Sequence, residues 1–398
     1  MHALVAALVL WVVAAGLLTL GSTYRDPAGQ LKWTDFIQFY THGYIARHGL
    51  VSELYDPDAQ YRRQVAIVPE SAPERYLPVY PPQVALVFAP LANFPYLVAG
   101  TLWALLNAVT YGVTVWLAWR PVRPVLTDWA LVAAAAAAFP PFWSLVLNGQ
   151  TTAVPIIAFS GGAIALSRGR KVLAGAALGL LFAKPQFGLM VAVVVLTRRE
   201  WSMLAGLALS GLTQLVLVAG LLGPAVLAQY LEVVPQFPAL RDALEPSIEQ
   251  MHSLAAVTRL LPGPLALVAW LTAGAWVSWL TVRVWRSAAS VFVRMSGLII
   301  GSVLINPHVY LYDAAVLASP LVWLSGWFES THRGPHALRH QWRLALYALY
   351  LFLLFPTARV IGLQLSPFVL LWTLYTVGRV GVGPSLSGED SYGAHAGQ

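Results

Sequence analysis

Apolar runs of about twenty residues recur along nearly the whole chain, separated by polar segments that hold nearly all of its charge. Runs are visible at 2–20, 97–119, 129–147, 151–167, 201–222, 264–282, 295–305, 310–327, 344–356 and 361–377. Such lengths suit helices that cross a bilayer. A further run, 172–196, is broken by Lys184-Pro185-Gln186. Proline frees backbone groups within a helix, so this stretch reads as two short spans meeting at Lys184, with Lys171 and Arg198-Arg199 on one side. The pattern predicts an all-α polytopic membrane protein with about twelve transmembrane helices. The runs do not alternate in the way that β-barrel strands would.

One long polar insert follows the first run. Between Gly21 and Pro82 the spacing predicts short surface helices: one from Asp35 to Ile45, stopped at His48-Gly49, and one starting at Leu54-Tyr55-Asp56-Pro57 and running through Arg63. Residues 83–92 are too short to span and read as a re-entrant or surface helix. The organisation expected is a single integral membrane unit over 1–380 with two large outer loops, 21–82 and 223–262. A Gly/Ser-rich flexible cytoplasmic tail is expected over 381–398. The first run lacks the basic start of a cleaved signal, so a retained span is expected.

Composition agrees with this class. Of 398 residues, 58% are hydrophobic and 10% charged, against about 25% charged in globular proteins. There is no cysteine, which excludes disulfides, thiolate nucleophiles and cysteine metal sites. The net charge of +7 is scattered over short loops, with no continuous basic stripe for nucleic acid. With the amino terminus inside, the inner segments hold 14 of the 24 basic residues and 5 of the 17 acids, as the positive-inside rule requires.

That orientation gathers polar residues on the outer side. Asp35, Tyr40, Tyr80, Asn148, Gln150, Lys184, Gln186, His252, Asn306, His308 and Asp313 all fall on the outer face or at the outer ends of spans. Polar groups at membrane depth are costly unless they line an enclosed or wet cavity, so one shared outer cavity is expected. There is no Walker A sequence and no glycine fingerprint after a strand, which argues against use of a cytoplasmic nucleotide sugar.

Asp35-Phe-x-x-Phe-Tyr40, Gly49 with Leu54-Tyr55-Asp56, and Tyr80-Pro-Pro with Pro90-Leu91 and Trp103 resemble the amino-terminal half of the family-87 glycosyltransferases. Asn148-Gly-Gln150, Lys184-Pro-Gln186, Met251-His-Ser-Leu254 and Pro307-His308 with Asp313 continue the resemblance in order, over about 30–330. It implies a membrane enzyme of the GT-C class that moves a hexose, with a bias to mannose, from a polyprenyl-phosphate sugar donor to a glycan or glycolipid acceptor. It places the site at the extracytoplasmic face of the cell membrane. Asp35 matches the acidic residue of the first outer loop that serves as catalytic base in that class. A glycosyl phosphate carries an anionic leaving group, so the chemistry needs such a base and cations at the phosphate.

Lys184 and His308 are expected at the donor phosphate. Tyr40, Tyr80, Asn148, Gln150, Gln186, His252 and Asp313 are expected to contact sugar or acceptor, Asp313 being equally a candidate buried partner for His308 or Lys184, with Trp33 a further stacking candidate. The alternatives are packing and anchoring: a helix-capping carboxylate for Asp35, a snorkelling lysine, amides that tie helices together, and interfacial aromatics. No metal or other cofactor is expected, although Asp35, Asp56 and Asp58 could be assembled around a cation. Membrane lipid is the remaining partner. The rival functions are a secondary transporter, which the broken span fits, and a non-catalytic membrane protein that binds a lipid-linked glycan. A lipid-linked glycan ligase or polymerase is a related enzymatic rival.

Overall fold

The computed structural model describes residues 2–237, 239, 248–330 and 336–380; the expected tail at 381–398 and part of the second outer loop lie outside them. Among the described residues the chain is helical and has no strand. Among the described residues, five helices are long and apolar enough to cross a membrane: His2–Thr19 (α1), Tyr96–Trp119, Trp201–Leu222, Pro264–Arg286 and the segment Leu311–Ser330. They mark this as a membrane protein.

The expected uninterrupted run 129–147 is two helices, Trp129–Ala137 and Pro140–Asn148, bent by 53°. Pro140 and Pro141 supply no backbone N–H to continue the first helix, and the chain turns there. Shorter apolar helices cover Ala153–Ser167, Lys171–Ala183, Pro185–Thr197 and Val291–Ile305.

The polar insert folds as short helices. Phe36–Arg47 (α2) ends at His48, with Gly49 taking a left-handed turn at φ +68°. Pro57–Ile67 (α3) has Asp56 as its cap, the carboxylate accepting from the N–H groups of Asp58 and Ala59, and proline at its first turn. Gln83–Phe88 (α4) packs against α2 through Phe88, whose ring lies 5.0 Å from that of Phe39 and 5.9 Å from that of Phe36. Tyr96–Trp119 (α5) lies beneath: the Phe88 and Trp103 rings are 4.5 Å apart.

The broken run doubles back on itself. Lys171 Nζ donates to Glu200 Oε2 at 2.9 Å, so the two ends of the segment meet. Lys184-Pro185 forms the tip between a 3₁₀ turn over Gly179–Ala183 and another over Pro185–Phe187. The hairpin therefore carries Lys184 towards the same end of the bundle as α2.

Candidate functional site

The turn that presents Asp35 is built from a strained backbone and buried aromatics. Trp33 has φ +54°, a conformation that costs a bulky residue about 1–3 kcal/mol. The Tyr96 hydroxyl sits 2.7 Å from the Lys32 carbonyl and 2.9 Å from that of Trp33, and donates to this pair. Gly100 on α5 makes room for the Trp33 ring: a Cβ there would lie 2.6 Å from it. Trp33 is thereby fixed in the core rather than offered to a sugar.

Asp35 occupies the cap position of α2, yet its side chain accepts no hydrogen bond from that helix. The carboxylate turns instead to residues far away in sequence. Gln150 Nε2 donates to Oδ2 at 2.8 Å, and the Tyr76 hydroxyl lies 3.3 Å from Oδ1. The backbone N–H of Asp35 donates to the Asn148 carbonyl at 3.1 Å.

Gln150 is held by the end of Pro140–Asn148. That helix closes on Gly149 at φ +68°, where an added Cβ would come within 2.6 Å of Phe36 Cβ. The Gln150 carbonyl accepts from Trp103 Nε1 at 3.1 Å and Asn107 Nδ2 at 3.2 Å. Its amide oxygen takes the Thr151 N–H at 3.3 Å, which leaves the NH₂ end for Asp35. Burial pushes the Asp35 carboxyl above the ordinary carboxylate range; the hydrogen bonds from Gln150 and Tyr76 and the charge of Lys184 pull against that.

Asp35, Tyr80, Asn148, Gln150, Lys184, Gln186 and His308 line one cavity of about 890 Å³, within the range of small-molecule sites. Tyr80 packs edge-on to Phe39 at 4.8 Å. Burial, aided by the charges of Asp313 and Asp35, pushes its hydroxyl well above the ordinary phenol range. Asn306 accepts the His308 N–H at 2.9 Å and so shapes the turn at Pro307-His308, and the His308 ring stands 4.9 Å from Tyr310.

Lys184 does not face the cavity as an isolated cation. Its side chain is 3% exposed and forms an ion pair with Asp313, which is 0% exposed. Thr152 joins them, donating to Asp313 Oδ1 at 3.0 Å and lying 3.4 Å from Lys184 Nζ. The Tyr310 N–H donates to the other Asp313 oxygen at 3.4 Å, and the Lys184 ammonium lies 5.3 Å from the Tyr312 ring centre. Asp313 sits behind the cavity wall as the partner of Lys184.

Two expected contacts are placed elsewhere. Tyr40 is buried, its hydroxyl donates to the Phe94 carbonyl at 2.8 Å, and its ring packs on Tyr96. His252 is also buried, between Ser366 Oγ at 2.8 Å and Gln364 Nε2 at 2.7 Å. The Gln364 amide oxygen takes the hydroxyl of Thr357 at 2.8 Å, so its NH₂ end donates to His252 Nδ1. Burial holds that histidine neutral, its pKa lowered to about 3. Both side chains spend their polar atoms on packing outside the cavity.

Of the three aspartates that could form a cation set, Asp56 caps α3 and Asp58 pairs with Arg75. Among the described residues no group of three His, Cys, Asp or Glu forms a candidate metal site.

The cavity adds residues that the pattern did not single out. Arg259 lines the His308 side and donates to the Pro307 carbonyl at 3.3 Å. Its signal is a basic residue within the second expected outer loop, on the side where positive charge is expected to be scarce. Tyr76, Tyr310 and Tyr312 also line it. They carried no separate signal, because tyrosines near a membrane surface are common anchors.

The sequence model of glycosyltransferase family 87 matches residues 79–307, more than half of the chain. The chain belongs to glycosyltransferase family 87. As a member of that family it is a glycosyltransferase, using a sugar donor and an acceptor. The match takes in Tyr80, Asn148, Gln150, Lys184, Gln186, His252 and Arg259. Asp35, Tyr40, His308 and Asp313 lie outside it and are tied to the family stretch by the contacts above. No curated protein and no solved structure matches the chain.

Proposed function

We propose that this family-87 member is an inverting hexosyltransferase that moves mannose from a polyprenyl-phosphate donor to a glycan or glycolipid acceptor at the outer face of the cell membrane. The acceptor oxygen forms a bond to the anomeric carbon as the bond to the phosphate oxygen breaks, its electron pair leaving on the phosphate. The acceptor's hydroxyl proton passes to Asp35. Single displacement turns a β-linked donor into an α-linked product.

The observation that carries this reading is the meeting within one cavity of a carboxylate with nitrogen-bearing side chains suited to a leaving phosphate. Asp35, Lys184, His308 and Arg259 all line it. A base whose pKa is raised is a better proton acceptor near neutrality, and donors preset around a leaving phosphate stabilise its growing charge. Lys184 has three N–H donors. Asp313 and Thr152 engage two of them, so its part would be a directed hydrogen bond to the phosphate from a neutral pair. Arg259 brings a guanidinium that stays charged at any working pH. The carboxamides of Asn148, Gln150 and Gln186 suit sugar hydroxyls.

The membrane setting is part of the proposal. A single GT-C unit over 1–380 would make about twelve crossings, the shorter apolar helices and the bent pair adding to the five long ones. Its amino terminus would be cytoplasmic and its cavity extracytoplasmic. A prenyl chain would stay in lipid while the acceptor met water.

The test is incubation of the purified protein with polyprenyl-phosphate-mannose and a panel of saccharide and glycolipid acceptors, with products read by mass spectrometry. A product one hexose heavier than its acceptor is expected from wild type and not from Asp35→Asn. Full activity in Asp35→Asn would remove the basis of the reading.

A further inference from the structure

The Tyr76 hydroxyl has one hydrogen and three oxygen neighbours. The Thr34 carbonyl is 2.8 Å away, Thr34 Oγ1 is 3.0 Å away, and Asp35 Oδ1 is 3.3 Å away. A phenol has one hydrogen to donate and accepts through its oxygen lone pairs, so it cannot give the carbonyl and the carboxylate a full hydrogen bond at the same time. The loop that carries it is pinned two residues earlier, at Glu74: Arg25 pairs with its carboxylate at 3.2 Å, and Gln64 Nε2 donates to its carbonyl at 2.7 Å. The ring is therefore held while the O–H bond remains free to rotate.

We propose that Tyr76 is a positioning residue for Asp35, a phenol rotor that serves the carboxyl group in both of its protonation states. When Asp35 is ionised, the Tyr76 hydrogen points to Oδ1. When Asp35 has taken the acceptor's proton, its new O–H donates to the Tyr76 oxygen and the Tyr76 hydrogen swings to the Thr34 carbonyl. No proton leaves the phenol in either state. Gln150 meanwhile holds Oδ2, so the proton is directed to the Oδ1 side and the carboxyl plane is kept. This matters because a buried polar group left unpaired in one state would oppose the transfer.

The other groups facing Asp35 do not duplicate this role. The charges nearby are Lys184 and Asp313, already paired with one another. The phenols of Tyr80, Tyr96 and Tyr312 lie within electrostatic reach of Asp35, and Glu74 faces Tyr76 from its own loop. Of the phenols, Tyr76 has its oxygen within hydrogen-bond distance of the carboxylate. The tendency of the Tyr76 hydrogen bond to favour the ionised form agrees with this geometry.

The inference rests on Asp35 as the base, and its test separates the two. Infrared titration of purified protein, without any substrate, follows the carboxyl C=O band that disappears in Asp35→Asn. With Tyr76→Phe the midpoint of that band should move up by about half to one pH unit, the scale of one hydrogen bond. The acid limb of the transfer rate from polyprenyl-phosphate-mannose should move with it, and kcat at neutral pH should fall roughly fivefold with the donor KM unchanged. Replacing Tyr76 with 3-fluorotyrosine, a stronger donor of the same shape, should move the midpoint down, and it decides the matter if Tyr76→Phe does not fold. An unmoved midpoint in the folded variants would overturn the rotor. Activity in Asp35→Asn would instead overturn the reading of Asp35 as base and leave the titration intact.

Discussion

Gln150 donates its amide hydrogen to the Asp35 carboxylate at 2.8 Å, across 115 positions of sequence. This bond joins the turn before α2 to the end of the apolar helix Pro140–Asn148. It fixes one oxygen of the carboxylate and leaves the other towards Tyr76.

Asp35→Asn keeps the shape and can still accept the Gln150 hydrogen bond, so the protein should fold. Transfer should fall by about 10²- to 10⁴-fold, the range for a general base. The burial that raises the Asp35 pKa also carries a stability cost. Between the ordinary carboxylate pKa and the raised one, the folded state holds more protons than the unfolded state, so wild type loses stability as pH rises through that window. Thermal melting of Asp35→Asn should therefore gain on wild type from acid to neutral pH. A parallel pair of melting curves would count against a buried, ionised Asp35.

Gln150→Leu removes a bond that favours the ionised carboxylate. The acid limb of the rate profile should shift to higher pH and kcat at neutral pH should fall about tenfold, the scale of one hydrogen bond to a charged group. An unshifted profile with lower protein yield would mark Gln150 as a packing residue.

The Lys184–Asp313 pair separates stability from function. Lys184→Met leaves a buried carboxylate alone, a change that typically costs about 3–5 kcal/mol. The double variant Lys184→Met, Asp313→Leu should recover most of the melting temperature, because no buried charge remains. Its donor KM should stay raised if the lysine meets the phosphate. Recovery of both properties would reduce Lys184 to a structural partner.

Gly149→Ala places a Cβ on Phe36 at a backbone angle that favours glycine. It should destabilise the protein by at least about 1 kcal/mol and lower kcat by displacing Gln150 from Asp35, although Gly149 does not line the cavity. Melting and kinetics on one preparation would show whether the two losses move together.

His252 offers a control outside the cavity. Its pKa, lowered to about 3 by burial, means the unfolded state binds a proton that the folded state refuses between about pH 6.5 and that value. Wild type should lose stability as pH falls through this window. His252→Gln should flatten that dependence while activity per folded molecule stays within a few-fold of wild type. A large loss of kcat in well-folded His252→Gln would return this histidine to the site.

The local pattern determined much of this protein. Apolar runs, the break at Lys184-Pro185, the glycine stop after α2 and the Asp56-Pro57 start of α3 follow from backbone chemistry that acts over a few residues. The charge asymmetry put Asp35, Gln150, Lys184 and His308 on one side, and seven of the residues singled out line one cavity. Only the tertiary structure decided how they pair. Asp35 stands at a helix start but does not cap it, Lys184 is bound to Asp313 at a separation of 129 residues, and Tyr40 and His252 are spent in packing. Proximity in sequence sets helix starts and stops. Which distant polar groups must satisfy one another is set only when packing removes them from water and makes an unpaired group costly.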